Sequence, residues 1–132
     1  ASGGELSRIM LAIKSILASE DEIDTLIFDE IDTGISGKTA TMVAEKMANI
    51  SRHHQVICIS HLSQIAAMAD NHYLIEKKLE NNSTITNIKK LSGDESIEEL
   101  VRINGDGTVS EAAISHAKEM KEMAERTKSY LI

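Results

Sequence analysis

Asp29 and Glu30 are adjacent carboxylates that close a short apolar run, residues 26–28, and their position suits hydrolytic chemistry. Such a run predicts a strand that is apolar on both faces in a parallel sheet, and ligands of these sheets bind beyond the carboxyl ends of the strands. A magnesium ion needs a hard oxygen ligand, and hydrolysis needs a second group that orients the attacking water. Asp29 fits the first role and Glu30 the second. A strand that ends in a solvated acidic turn is the plainer alternative.

Two other groups of residues suit the binding of phosphate. Ser2, Gly3, Gly4 and Glu5 open a helical pattern, where free backbone N–H groups favour an anion and glycines let a ligand come close. His61 follows a second apolar run, residues 55–60, and its ring could donate a hydrogen bond to a phosphate oxygen. The alternatives are a flexible leader for the first group and a capping or core histidine for the second.

Two other kinds of site fit the sequence poorly. A zinc site from His53, His54, Cys58 and His61 would use a spacing that matches no standard zinc pattern. Gly37 is followed by Lys38, but the upstream glycine that a phosphate-binding P-loop requires is missing.

Apolar periodicity predicts the elements that position these residues. The order of the elements predicts an α/β fold, with mostly parallel strands flanked by helices, then a β-hairpin and two C-terminal helices. Ser36 and Ser110 are predicted to cap helices, and Met42 and Met47 to fill gaps in the core. We expect one partial domain over residues 1–132, with the chemistry in 1–70. The predicted helices are 6–18, 37–52, 62–69, 94–103 and 110–130; the predicted strands are 24–29, 55–60, 72–79 and 83–91.

The composition restricts the class of protein. The formal net charge of −7 disfavours direct binding of DNA or RNA by this chain, because an acidic surface repels phosphate backbones. No apolar run approaches the length of about 20 residues that a membrane span needs, and no signal peptide is visible. The single cysteine, Cys58, lies in an apolar run and indicates a buried thiol in a reducing, cytoplasmic compartment.

In order, the chain has Ser2 to Glu5 at a helix start, an apolar strand that ends in Asp29 and Glu30, Asp32 in a glycine-containing loop, and a second strand that ends in His61. Together these resemble the signature motif, Walker B strand, D-loop and H-loop in the C-terminal half of the head of an ABC-type ATPase, within the SMC-like group. Four segments are similar to sequences of the RecN family of bacterial DNA repair proteins: residues 2–12, 28–37, 59–66 and, near the C-terminus, 111–117.

This resemblance implies roles for the residues. Ser2, Gly3, Gly4 and Glu5 would bind the γ-phosphate of ATP held by an opposite head. Asp29 would support Mg²⁺ and Glu30 would polarise the water, with His61 near the γ-phosphate. Asp32 would lie by the nucleotide and serve structure and communication between heads.

The resemblance implies half a head, because the P-loop and the long coiled coil of such proteins are absent from the chain. The expected partners are the N-terminal half of the head, a second head in a homodimer, and DNA through the intact protein, near the nucleoid of a bacterium. The implied function is ATP-dependent head pairing in repair of double-strand breaks, and the isolated chain is expected to be inactive. The alternative is a non-enzymatic acidic α/β module that binds a partner head.

Overall fold

The computed structural model describes residues 2–105 and 107–131, and these residues form five helices and four strands. The elements confirm the predicted order, with bounds that differ by a few residues. The predicted turn after the fourth helix includes Asp106, which lies outside the described residues. The elements are α1 (Gly3–Leu17), β1 (Thr25–Phe28), α2 (Gly37–Ile50), β2 (Gln55–Cys58), α3 (Ser63–Met68), β3 (Tyr73–Glu80), β4 (Ser83–Lys90), α4 (Gly93–Asn104) and α5 (Glu111–Tyr130).

β1 and β2 form a parallel pair, with Leu26 beside Val56 and Phe28 beside Cys58. This register brings the residues that follow both strands to the same edge of the sheet. The prediction of a strand buried on both faces is wrong for β1 in this structure. Leu26 and Phe28 are buried, but Ile27 on the opposite face is 67% exposed, because no described element covers that face.

The main core lies between this sheet, α1 and α2. Its buried side chains come from α1, from β1 and the loop after it, from one face of α2 and from α3: Leu11, Leu26, Phe28, Ile31, Val43, Ala44, Met47, Ile50 and Ile65. Val56 and Cys58 of β2 are partly buried against this cluster. A smaller cluster joins α3 to α4 and α5 through Ala67, Leu100, Val101 and Ala117. Met47 is buried as predicted, whereas Met42 is 56% exposed, because it lies on the opposite side of α2.

The apolar stripe of α1 faces away from the core. Helix periodicity identifies Leu6, Ile9, Met10, Ile13, Ile16 and Leu17, and all of them are exposed. The helix packs instead through Gly4 and Leu11, its two buried residues. The side chain of Leu11 is 4% exposed and that of Ile16 is 81% exposed. α1 therefore carries a large apolar surface that the described residues leave open.

The predicted hairpin is confirmed. β3 and β4 pair antiparallel, and Asn81 and Asn82 in the turn have φ angles of 49° and 60°. Asn tolerates this left-handed conformation, which two-residue hairpin turns require. Ser110 caps α5 by accepting a hydrogen bond from the N–H of Ala113. Ser36 stands at the N-cap of α2, but its hydroxyl makes no hydrogen bond there. Among the described helices, none combines the length and apolarity needed to cross a bilayer.

Candidate functional site

The residues that follow β1 and β2 surround an open cleft of about 270 Å³. The cleft brings together four of the predicted site residues, Asp29, Glu30, Asp32 and His61. The start of α1 borders the same region, because Gly3 and Gly4 lie against Glu30 and Thr33. The sequence patterns at three separated places in the chain therefore meet in space. The remaining cleft-lining residues are Thr33, Ile59 and Ser60.

Ser2 and Glu5 form a capping box at the start of α1. The Ser2 hydroxyl accepts a hydrogen bond from the N–H of Glu5 at 3.2 Å, and the Glu5 carboxylate accepts one from the N–H of Ser2 at 3.3 Å. This arrangement fixes the helix start and leaves it exposed at Ser2 and Gly3. Because the first N–H groups of a helix have no acceptor within the helix, its N-terminus is suited to an anion.

Glycine at position 3 allows Glu30 to approach this helix terminus. A Cβ on Gly3 would overlap the Oε2 atom of Glu30, and a Cβ on Gly4 would stand 2.9 Å from the carbonyl oxygen of Thr33. Glu30 has a φ of 58°, a left-handed conformation that is uncommon outside glycine. Its N–H donates a hydrogen bond of 2.9 Å to Oδ1 of Asp29. The two carboxylates are therefore held at the strand end, with that of Glu30 beside the positive end of the α1 dipole.

Asp32 is buried, with 4% of its surface exposed, and holds the end of β2. Its Oδ2 accepts hydrogen bonds from the Ser60 hydroxyl at 2.7 Å and from the N–H of His61 at 2.9 Å. Burial acts to raise the pKa of the Asp32 carboxyl, but the hydrogen bonds from Ser60 and His61 outweigh it, so this pKa lies below its ordinary value. The observed contacts of Asp32 are internal, and its contact with a nucleotide stays a prediction.

His61 is oriented by the same carboxylate. Its ring Nδ1 lies 2.9 Å from Oδ2 of Asp32, while 77% of the His61 side chain is exposed. An ionised carboxylate can only accept, so Nδ1 must carry the proton of this contact. The second ring nitrogen, Nε2, therefore remains for a ligand in the cleft.

Sequence reasoning missed two residues of α1 that contact the loop after β1. Arg8 Nη1 donates hydrogen bonds to the carbonyl oxygens of Ile31 at 3.0 Å and Thr33 at 2.7 Å. The Ser7 hydroxyl donates one to the carbonyl oxygen of Asp29 at 2.9 Å. Their positions, three and four residues after Gly4, place them on the buried face of α1. The conspicuous apolar stripe on the other face obscured this signal.

The donor set suits Mg²⁺ better than zinc. Asp29 offers one exposed carboxylate, and Mg²⁺ in nucleotide sites usually takes one or two protein carboxylates and keeps several waters. Within residues 2–105 and 107–131, no three His, Cys, Asp or Glu side chains converge to hold a metal ion. Burial, with smaller effects of the Asp32 and Asp29 charges, raises the pKa of the Cys58 thiol to about 12, which disfavours the thiolate that zinc requires.

Comparison with known proteins gives a consistent family. No family model matches the chain. The chain is 47% identical over 129 residues to the DNA repair protein RecN of Bacillus subtilis, and this match covers 98% of the chain. It is 45% identical over 120 residues to RecN of Treponema pallidum and 37% identical over 129 residues to RecN of Mycobacterium leprae. The chain spans about a fifth of the length of these relatives (22%, 21% and 22%).

A solved structure supports the fold. It comes from work on ATP-driven dimerization and DNA-stimulated activation of SMC ATPases, and it superposes with a TM-score of 0.57 and 23% identity. The match covers 80% of this chain and 63% of that one. The α/β arrangement of this chain is therefore similar to that of part of the solved structure. The identity to the curated relatives, which extends over nearly the whole chain, shows that the chain is a segment of a RecN-type protein.

Proposed function

We propose that this chain forms the sensing and hydrolysis side of an ATPase head in a bacterial protein that repairs DNA double-strand breaks. In the whole protein, ATP binding joins two heads and hydrolysis releases them. The observation that best supports this proposal is the convergence of the α1 start, the carboxylates after β1 and His61 after β2 around one cleft. The related RecN proteins are DNA repair proteins, which supports the process in which the head acts.

The proposed chemistry assigns one task to each group. Glu30 orients and polarises the water that attacks the γ-phosphate. His61, in the imidazolium form that carries a proton on both ring nitrogens, donates from Nε2 to an oxygen of that phosphate. Asp32 holds His61 in place through Nδ1. Asp29 would hold Mg²⁺, which supplies charge neutralisation on the phosphates when it is bound. The hydroxyl of Ser2 and the N–H groups of Gly3 and Gly4 contact the γ-phosphate of ATP on the opposite head.

The apolar surfaces support the proposed partners. The exposed stripe of α1 and the open face of β1 would be covered by the N-terminal half of the head, which would also supply the P-loop. The second partner is another head, in a homodimer. DNA would bind elsewhere on the whole protein, since this chain carries a net charge of −7. We place the protein in the bacterial cytoplasm, at the nucleoid.

A non-enzymatic association module remains the second candidate. It is suggested by the lack of the glycine and lysine pattern of a P-loop within these 132 residues, and the similarity to RecN proteins does not favour it. The two candidates differ in what they require of Ser2. An association module needs no phosphate contact at α1, whereas the proposed head does.

The test is the substitution Ser2→Arg in a full-length RecN that carries this segment. The bulky side chain would occupy the place of the opposite γ-phosphate, so we expect each head to bind ATP normally but the heads to remain unpaired. Light scattering with ATP measures the pairing, and Ser129→Arg on the exposed end of α5 is the matched control. Equal ATP-induced pairing of Ser2→Arg and wild type would contradict the proposed role of the α1 start.

A further inference from the structure

Three side-chain hydrogen bonds connect the first two turns of α1 to the backbone of the loop after β1. Ser7 donates to the carbonyl oxygen of Asp29, and Arg8 donates from a single nitrogen, Nη1, to those of Ile31 and Thr33. The acceptors stand on both sides of Glu30 in sequence. The carboxylate attributed to water activation is thus carried by a segment whose backbone is held by α1.

The hydrogen-bond partners that the structure gives Arg8 are backbone atoms. Its hydrogen bonds go to backbone carbonyl oxygens, where a carboxylate partner would have compensated its charge directly. A guanidinium that bridges two carbonyls two residues apart fixes the path of the chain between them, since both acceptors must stay within reach of one nitrogen. Side-chain identity at Ile31 and Thr33 is irrelevant to this contact.

The loop that Arg8 holds needs such support. Glu30 has a left-handed φ of 58°, a conformation that is unfavourable for a residue other than glycine. Gly34, just beyond the second acceptor, has a φ of 77°. On the other side, Gly4 is buried, and a Cβ there would press on both Thr33 and Arg8 Nη1. The loop therefore keeps its conformation through close contact with α1.

We propose that Arg8 is a positioning residue that makes the start of α1 and the loop of Glu30 move as one unit. Contact of a phosphate with Ser2, Gly3 and Gly4 then determines where the Glu30 carboxylate stands. In a pair of heads, the start of α1 contacts the nucleotide of the opposite head. The hydrogen bonds of Arg8 then connect that nucleotide to the attacking water that Glu30 of the same chain orients. The inference rests on the proposed function. It adds the residue that connects the phosphate contact at α1 to the activation of water by Glu30.

The experiment is single-turnover ATP hydrolysis by a full-length RecN that carries this segment, with the substitutions Arg8→Ala and Arg8→Lys. For Arg8→Ala we expect the rate constant of hydrolysis to fall about 10- to 100-fold, the scale of a misplaced catalytic group. The Kd for ATP should stay within about twofold, because α1 does not hold the nucleotide of its own head. Arg8→Lys should recover part of the rate, since an ammonium can still donate to carbonyl oxygens.

A second arm separates positioning from mere stabilisation. In a Glu30→Gln background, Arg8→Ala should slow hydrolysis by less than about twofold more, because the group that Arg8 positions is already disabled. Lys14→Ala is the matched control on the same helix. It removes the ion pair of Lys14 with Asp21 but leaves the loop untouched, so its rate should equal that of wild type even where its melting temperature falls.

Each result decides between the two claims. If Glu30→Gln hydrolyses ATP at the wild-type rate, the proposed function fails, and the inference fails with it. If Glu30→Gln is slow but Arg8→Ala is as fast as wild type, only the inference fails. It also fails if the effects of the two substitutions multiply, or if Lys14→Ala slows hydrolysis as much as Arg8→Ala does.

Discussion

One oxygen of Asp32 holds His61 at two points, the ring Nδ1 and the backbone N–H, each at 2.9 Å. The contact joins the loop after β1 to the end of β2, two segments that are 29 residues apart in sequence. The Ser60 hydroxyl shares the same oxygen and also accepts a hydrogen bond from the N–H of Leu62. The orientation of the imidazole is therefore a property of the loop that also carries Glu30.

Removal of this carboxylate should destabilise the fold. We expect Asp32→Ala to lower the free energy of unfolding by about 2–3 kcal/mol, since the part-buried hydrogen bonds from Ser60 and His61 lose their charged acceptor. Urea unfolding of the 132-residue chain measures the loss, and Asp24→Ala at an exposed site should change stability by less than about 0.5 kcal/mol. Equal unfolding midpoints for the two variants would contradict the structural role of Asp32.

The stabilisation by Asp32 should depend on pH, and the direction of this dependence follows from the pKa of its carboxyl. The pKa of Asp32 is depressed in the folded state, so its stabilisation is complete above the ordinary value of 3.8 and is lost as pH falls through the lower folded value. The difference in stability between wild type and Asp32→Ala should therefore shrink below about pH 4. A difference that grows on acidification would show that the carboxyl is not ionised in the fold.

The two faces of α1 should respond differently to truncation. Leu11→Ala should cost about 2–4 kcal/mol of stability, because a buried leucine leaves a cavity. Ile16→Ala on the same helix should cost less than about 0.5 kcal/mol. It should also reduce self-association of the chain, which we expect from the exposed apolar stripe and follow by sedimentation. A monomeric wild type at high concentration, or equal destabilisation by both variants, would argue against this assignment of the faces.

The thiol of Cys58 should react slowly. Burial raises its pKa to about 12, and the charges of Asp32 and Asp29 add to the effect. At pH 8 the thiolate fraction is then roughly 10³-fold below that of an ordinary cysteine, and alkylation by iodoacetamide should slow in proportion. Mass spectrometry follows the reaction, and the same chain in urea supplies the control rate. Rapid alkylation of the folded chain would show that Cys58 is accessible as a thiolate.

Much of this arrangement follows from the sequence. The apolar runs that precede Asp29 and His61 predict the two parallel strands. In a parallel pair, the residues beyond the carboxyl ends share one edge of the sheet, so the meeting of these residues is also predicted. The Asn81 and Asn82 turn predicts the hairpin, since few residues tolerate two successive left-handed conformations. The cap at Ser110 follows from a local rule of the same kind, whereas the predicted cap at Ser36 makes no hydrogen bond with its hydroxyl.

Other features escaped prediction for a physical reason. Periodicity shows that α1 has an apolar face but not which neighbour covers it, and the helix packs through Gly4 and Leu11 instead. The same limit explains Met42, which is exposed on α2. The hydrogen bonds of Arg8 go to backbone carbonyl oxygens, so no pairing of residue types in the sequence indicates them. Such contacts depend on tertiary structure and on the strained path of the Glu30 loop.

The isolated chain should not hydrolyse ATP. Its sequence lacks the P-loop that supplies a nest of N–H groups and a lysine for the phosphates. Release of phosphate from ATP and Mg²⁺ by the purified 132-residue chain should equal that of a Glu30→Gln sample prepared in parallel. Turnover that requires Mg²⁺ and disappears in the Glu30→Gln sample would show that the chain is an ATPase without that loop.

The most direct test of the account is hydrolysis by Glu30→Gln in a full-length RecN that carries this segment. The amide has nearly the shape of the carboxylate but cannot accept a proton, and Glu22→Gln at an exposed position is the matched control. We predict that single-turnover hydrolysis slows by at least about 10²-fold, while ATP affinity is unchanged and paired, ATP-bound heads accumulate. Wild-type hydrolysis by Glu30→Gln, with the control also unchanged, would contradict the central claim that Glu30 handles the attacking water.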